Sequence, residues 1–588
     1  MEKRLLSGNE AIARGAFEAG VTVAAGYPGT PSTEILETLS CHRDEIFCEW
    51  APNEKVALEV AAGACLTGAR CLVTMKHVGL NVAADPLMTL AYTGVVGGLV
   101  ACVADDPGMH SSQNEQDTRH FGRFAKVPLL EPADSQEAAD CVKIGIELSE
   151  RFRTPVILRS TTRVSHSRSP VVIGERQPSS RTIGFEKDPP RYVPVPIWGR
   201  QMRLRLEERL RALAEEVDRS PLNRIEWRDR SLGIVAAGIA YQYVREAFPE
   251  ASVLKIGWSF PFPDGKIRQF AIGVERLLIV EELDGILEEH IRALGIACIG
   301  KEVVPSVGEL STGVLLDSRR KLEGKEDKAP AAVPAECRDL PSRPPVLCAG
   351  CPHRGIFYGL GRFDVVVTGD IGCYSLATFA PLSRIDTILC MGGGISMAHG
   401  MDRAGNPRKV VGIVGDSTFF HSGITGLLDI AYNQGSSTII VLDNRTTAMT
   451  GHQCHPGSGK TLMGKEAPCA SIEEIGRACG IRNVVTIDPY RLDLVHKTLK
   501  EAIEADEPWL IVAQADCPLA VRRKVGPVLE VNQERCIGCR MCLKLGCPAI
   551  ECSGEKPQVN PLLCIGCGLC RQVCPQGAYQ ERENETDV

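Results

Sequence analysis

Helical patterns and short apolar runs alternate along the first part of the chain. Asn9–Ala19 reads as a helix and Val21–Ala25 as a strand, followed by a Gly/Pro turn and another helix. Cys71–Met75, Gly98–Ala104 and Pro155–Leu158 are further apolar runs of strand length. This rhythm predicts a parallel sheet covered by helices over residues 1–190. A charged stretch around Met202–Val217 predicts a helical connector over 191–230. A second α/β block, 231–316, has strands expected at Leu232–Ala237, Ala251–Ile256 and Arg276–Val280. The polar, Lys- and Pro-rich stretch 317–345 predicts a linker. A third α/β block spans 346–525, a Cys-rich module 526–580, and an acidic tail 581–588.

Length and composition fit that division. A chain of 588 residues exceeds one core, and the length prior gives about four domains. The formal charge of -7, with acids and bases interspersed, carries no nucleic-acid or polybasic membrane signal. The opening residues lack the apolar core of a signal peptide. Nor does any stretch approach the roughly 18 apolar residues of a membrane span. A cytoplasmic protein is the expectation.

That compartment changes the meaning of 25 cysteines. Cytosolic thiols stay reduced, so metal binding is expected rather than disulfides. Nine of them lie from Cys536 to Cys574. The scattered Cys41, Cys65, Cys71, Cys102 and Cys298 read as small buried hydrophobes.

The C-terminal cysteines form two runs. Cys536, Cys539 and Cys542 are followed by Cys547-Pro548, and Cys564, Cys567 and Cys570 by Cys574-Pro575. Three cysteines two residues apart can wrap backbone around one cubane. The module resembles bacterial two-cluster ferredoxins, in which the fourth ligand comes from the other run. That logic assigns Cys536, Cys539, Cys542 and Cys574 to one [4Fe–4S] cluster. Cys564, Cys567, Cys570 and Cys547 fall to the other. The first run departs from the pattern, with four residues rather than three before Cys547.

In the third block, Val411–Ser417 is a strand running into a turn, and the strand Thr438–Leu442 ends in Asp443-Asn444-Arg445-Thr446. A carboxylate and an amide oxygen at the carboxyl ends of two strands suit a hard divalent ion completed by a diphosphate. The pattern resembles the thiamine-diphosphate signature, with Ser417 and Asp443 departing from it. Asp416, Asn444 and Thr446 carry over as magnesium ligands. Gly415, Ser417 and the upstream Gly392-Gly393-Gly394 carry over as cofactor-binding positions, glycines permitting close backbone approach.

Residues 1–580 together resemble the 2-oxoacid:ferredoxin oxidoreductase family in its domain order. The resemblance implies a pyrimidine-binding domain, a transketolase C-terminal-like domain, a diphosphate- and magnesium-binding domain and a two-cluster module. It implies a third, proximal cluster on Cys348, Cys351, Cys373 and Cys517. In Pro52-Asn53-Glu54-Lys55 it places Glu54 against the cofactor's pyrimidine nitrogen, with Glu59 as the alternative. Thr30, in Tyr27-Pro28-Gly29-Thr30-Pro31, would contact the substrate carbonyl, and Arg119 the substrate carboxylate. A planar guanidinium suits that last task.

The implied reaction converts a 2-oxo acid and coenzyme A to acyl-CoA and CO2 while reducing two ferredoxins. Family resemblance alone suggests aryl pyruvates such as indolepyruvate. It also implies a separate small beta subunit and a heterotetramer with two copies of each chain. A non-oxidative decarboxylase would leave the ferredoxin-type cysteines without purpose. A pure electron-transfer scaffold would leave Glu54, Thr30, Asp416 and Asn444 without one.

Overall fold

The computed structural model describes residues 2–179, 181–325, 345–522 and 524–582. The chain divides into two units, Met1–Ala335 and Glu336–Val588.

The first unit is built on a seven-stranded sheet. Its order is Trp258–Phe260, Leu129–Leu130, Val156–Thr161, Leu99–Asp105, Cys71–Lys76, Val23–Gly26, Phe47–Trp50. All neighbours are parallel except the edge strand Trp258–Phe260. Cys71–Lys76, Leu99–Asp105 and Val156–Thr161 are buried along their whole length. That explains why they read as unbroken apolar runs instead of alternating ones. Helix Gly8–Glu18 begins at a capping box made by Ser7 and Glu10. Helix Ser135–Phe152 begins where the Asp134 carboxylate accepts the Glu137 N–H at 2.9 Å. The two helices meet at Gly15, where a Cβ would lie 2.4 Å from the Ala139 carbonyl oxygen; only glycine allows that approach.

The same unit holds a four-stranded sheet, ordered Leu277–Val280, Asp229–Ala237, Ala251–Ile256, Arg224–Glu226. Two boundaries differ from expectation here. The connector contains helix Pro196–Val217 but also strand Arg224–Glu226, which pairs antiparallel with the second sheet. Trp258–Phe260, inside the second block, crosses to the first sheet. The Asn223 amide oxygen fixes that crossing by accepting the Gly257 and Trp258 N–H groups, each at 2.9 Å. The expected linker at 317–345 begins as helix, because Thr312–Leu322 is capped by Ser311 and buries Leu315. Three basic residues in its last turn suit the helix dipole. Residues 326–344 of that expectation lie outside the described residues.

The second unit carries a five-stranded parallel sheet, ordered Val366–Thr368, Val410–Gly415, Thr438–Asp443, Trp509–Gln514, Asn483–Ile487. Gly415 pairs with Leu442, so two neighbouring strands end at the same edge. A small module follows, with Leu529–Val531 antiparallel to Tyr579–Glu581 and Ile550–Glu551 antiparallel to Gln558–Val559. Glu581, expected to open the tail, closes a strand, and 583–588 lie outside the described residues. Among the described residues no helix is long and apolar enough to cross a membrane.

Candidate active site and electron-transfer centres

At the shared strand edge of the second unit, Asp416 and Asp443 are both buried. Burial alone would raise the Asp416 carboxyl; hydrogen bonds from His455 and from the Ser417 N–H bring it below the ordinary value. Asp443 goes the other way, pushed up to about 6 by burial and by Asp416 beside it. Gln514 donates to Asp443 at 2.8 Å and Arg445 pairs with it at 3.2 Å. Asp443 is therefore held by its own neighbours, whereas Asp416 is kept ionised, as a magnesium ligand must be. Asn444 is oriented from both ends: its Oδ1 accepts the Thr446 N–H at 3.2 Å and its amide nitrogen lies 3.4 Å from His353 Nε2. Ser417 accepts from the Thr447 hydroxyl at 2.9 Å.

The glycines expected to line the cofactor also meet packing constraints of their own. A Cβ at Gly392 would lie 2.6 Å from Ser422 Cβ, and one at Gly394 would lie 2.7 Å from the Gly369 carbonyl oxygen. At Gly415 it would meet the Tyr374 ring at 2.9 Å, and at Gly393 the Cys390 sulfur at 3.1 Å. Internal packing already demands small residues at these positions. The Asp370 carboxylate ties this turn down by accepting the Gly394 N–H at 3.0 Å, and burial pushes Asp370 up to about 6.

The thiols gather in three groups. Cys547, Cys564, Cys567 and Cys570 line one pocket. Thiols from both runs thus meet there, despite the extra residue before Cys547. Cys539 and Cys574 act electrostatically on Cys542, and Cys536 is buried at the head of the same run. Cys351 feels Cys348 and Cys373, while Cys373 feels Cys348 and Cys517. Burial pushes Cys351 up to about 12 and Cys373 up to about 11, with the neighbouring thiols adding to it. Among the described residues, no three His, Cys, Asp or Glu side chains form a site for a single ion. A cubane spreads its thiolates over four corners, and magnesium takes few protein oxygens beside a phosphate, so both groups fit these side chains. Among the scattered cysteines, Cys65, Cys71 and Cys102 are buried as expected, whereas Cys298 is only partly buried and Cys41 is exposed.

In the first unit, Glu54 opens helix Glu54–Leu66 and is 5% exposed. A Cβ on Gly79 would fall 2.5 Å from Glu54 Oε1, so the next helix leaves that carboxyl its room. Glu59 instead stands on the solvated face, ion-paired with Lys55. The Thr30 carbonyl accepts from the Ser111 hydroxyl at 3.3 Å.

Arg119, expected at the substrate carboxylate, lies in a buried ion-pair network. Its guanidinium pairs with Asp117 at 2.6 Å and Glu281 at 2.5 Å, and donates to the Glu282 and Asp284 carbonyls at 2.8 and 2.9 Å. It is buried and committed to joining the two sheets of the unit. The cation near Thr30 is Lys76, at the carboxyl end of strand Cys71–Lys76. It is 9% exposed and donates to the Ser111 carbonyl at 2.7 Å, and a Cβ on Gly29 would touch its Cβ at 3.2 Å. Burial lowers its ammonium to about 8, against the pull of Asp106. Lys76, His353 and His455 were missed in sequence, where each is a lone polar residue. The only available signal was the position of Lys76 at the end of an apolar run.

Residues 14–197 match the family described as pyruvate flavodoxin/ferredoxin oxidoreductase, thiamine diP-binding. Residues 370–513 match the C-terminal TPP-binding domain of thiamine pyrophosphate enzymes, and 557–580 a 4Fe-4S binding domain. A Methanothermobacter marburgensis protein named indolepyruvate oxidoreductase subunit IorA is 42% identical, covering 98% of this chain and 97% of its own. Proteins of the same name from Pyrococcus horikoshii and Archaeoglobus fulgidus are 41% and 39% identical, covering 99% and 98% of this chain and 98% and 97% of their own. The chain is thus an oxidoreductase subunit that oxidises 2-oxo acids with thiamine diphosphate and passes electrons through an iron–sulfur centre. It belongs to the 2-oxoacid:ferredoxin oxidoreductase family and is similar over nearly its whole length to the proteins named indolepyruvate oxidoreductase subunit IorA.

Proposed function

We propose that this chain catalyses the coenzyme-A-dependent oxidative decarboxylation of aryl 2-oxo acids such as indolepyruvate. The products are acyl-CoA, CO2 and a proton, and two electrons leave one at a time through three [4Fe–4S] clusters to ferredoxin. Bound thiamine diphosphate supplies the electron sink for decarboxylation, and the clusters accept single electrons. Asp416, Asn444 and Thr446 hold its magnesium, and Glu54 holds a proton against its pyrimidine nitrogen. Thr30 contacts the substrate carbonyl, and Lys76, in place of Arg119, takes the substrate carboxylate. Cys348, Cys351, Cys373 and Cys517 hold the proximal cluster, and the two C-terminal sets relay electrons outward.

One observation carries this reading. The Cys517 N–H donates to the Asn444 carbonyl at 3.2 Å, and His353, two residues after Cys351, abuts the Asn444 amide. Proposed cluster ligands and a proposed magnesium ligand are immediate neighbours, so these residues would hold the two groups within a short electron-transfer distance. A small beta subunit completes the enzyme, with two copies of each chain. The site of action is the cytoplasm, in keeping with described cysteines that are all unpaired.

Glu54→Gln tests the cofactor role against Glu59→Gln. The first variant is expected to lose about 10²–10⁴-fold in turnover while still binding thiamine diphosphate. The second should stay near the parent; the reverse pattern would move the role to Glu59.

A further inference from the structure

Arg354 is among the largest fully buried side chains of the molecule, at 1% exposure. It lies in helix His353–Leu360, three residues after Cys351. Its hydrogen bonds all end on backbone carbonyls: Leu545 at 2.5 Å, Leu347 at 2.8 Å and Cys348 at 3.0 Å. The remaining Nε hydrogen has no partner among the described residues. The guanidinium also lines the pocket that Cys547, Cys564, Cys567 and Cys570 surround. Its charge reaches Cys351 on one side and Cys567 on the other.

A buried guanidinium is always charged and is ordinarily matched by a carboxylate or phosphate. Among the described residues, this one is matched by carbonyl dipoles alone. Two groups of thiols flank it, and each would become anionic on ligating iron.

We propose that Arg354 is the shared counter-charge of the proximal cluster and of the cluster on Cys547, Cys564, Cys567 and Cys570, and that it raises the reduction potential of both. The inference rests on the cluster assignments proposed above. A cluster held by four thiolates is negative overall and gains one further negative charge when it accepts an electron. No bond is made or broken in that step. A fixed positive charge in a low-dielectric setting favours the more negative, reduced form. One residue placed between two successive centres stabilises the electron on either side, which keeps the relay level. Arg354 is a positioning and tuning residue, since it does not touch the substrate.

The test compares the anaerobic holoenzyme with Arg354→Gln and Arg354→Lys, by redox titration followed by low-temperature electron paramagnetic resonance. Iron content and the parent's signals come first: a parent with no iron on these cysteines would overturn the cluster assignments themselves. With clusters present, Arg354→Gln is expected to shift both flanking centres to more negative potential. The equilibrium should move at least tenfold, which for one electron is about 59 mV. The centre on Cys536, Cys539, Cys542 and Cys574 should move less, and Arg354→Lys should retain most of the parent value. Unmoved potentials in a fully iron-loaded Arg354→Gln would leave Arg354 as a clamp on three carbonyls and overturn the proposal. Equal shifts in the Gln and Lys variants would do the same, because charge would not be the cause.

Discussion

His455 donates from Nε2 to the Asp416 carboxylate at 3.1 Å while its Nδ1 accepts the Gly457 N–H at 3.1 Å. A backbone N–H can only donate, so the second contact fixes the tautomer and leaves the Nε2 proton for Asp416. The aspartate is thereby aimed by a neutral imidazole 39 residues further along the chain. Such supporting bonds typically set metal affinity by 10–100-fold. His455→Ala is expected to weaken magnesium-dependent thiamine diphosphate binding by about that factor, with unchanged circular dichroism. Calorimetric titration of the cofactor into stripped protein measures it. Parent-like affinity would remove His455 from the site.

Lys76 and Arg119 separate two kinds of cation. Lys76→Met should raise KM for the 2-oxo acid about tenfold or more, with the apparent melting temperature close to the parent's. Arg119→Met strips the charge that Asp117 and Glu281 face, and breaking a buried pair costs about 3–5 kcal/mol. That variant should melt earlier or fail to accumulate, and whatever folds should keep the parent KM. Steady-state kinetics and thermal melts of both variants decide between them. A raised KM in a stable Arg119→Met would restore the expectation drawn from sequence.

Glu282 is pushed up to about 7 by burial, although the Leu310 N–H donates to it at 3.0 Å. Arg119, Arg159, Arg163, Glu309 and Tyr243 are the charged and titratable groups that act on it or feel it. A carboxyl whose folded value lies above its unfolded value of about 4.3 favours the fold fully below that value. The contribution disappears as pH rises through about 7. Glu282→Gln should therefore raise the apparent melting temperature at pH about 8 and change it little at pH about 5. Equal differences at the two pH values would show that Glu282 does not titrate in this range.

Local spacing explains what could be read beforehand. The cysteine runs fall within a few residues, and Asp416 and Asn444 sit at the ends of apolar strands, so both patterns were legible as candidates. The parallel sheets were legible for the same reason, through strands buried on both faces. The Arg119–Glu281 pair was not legible because the two residues are 162 apart, and nothing near Arg119 in sequence records it. Trp258–Phe260 and Leu129–Leu130 are too short to show a period, so the edge that links the two sheets of the first unit was invisible. His353 and His455 act through contacts across the fold, which single-residue chemistry does not announce.

The central claim is coupled: thiamine-dependent decarboxylation by this chain drives one-electron reduction through its clusters. Anaerobic reduction of a viologen dye by the chain co-purified with its small partner measures it, with indolepyruvate, pyruvate and 2-oxoglutarate each tried with and without coenzyme A. The account predicts rapid, coenzyme-A-dependent reduction with indolepyruvate and slower reduction with the other two. No reduction with any of them, from protein carrying full iron and thiamine diphosphate, would contradict it.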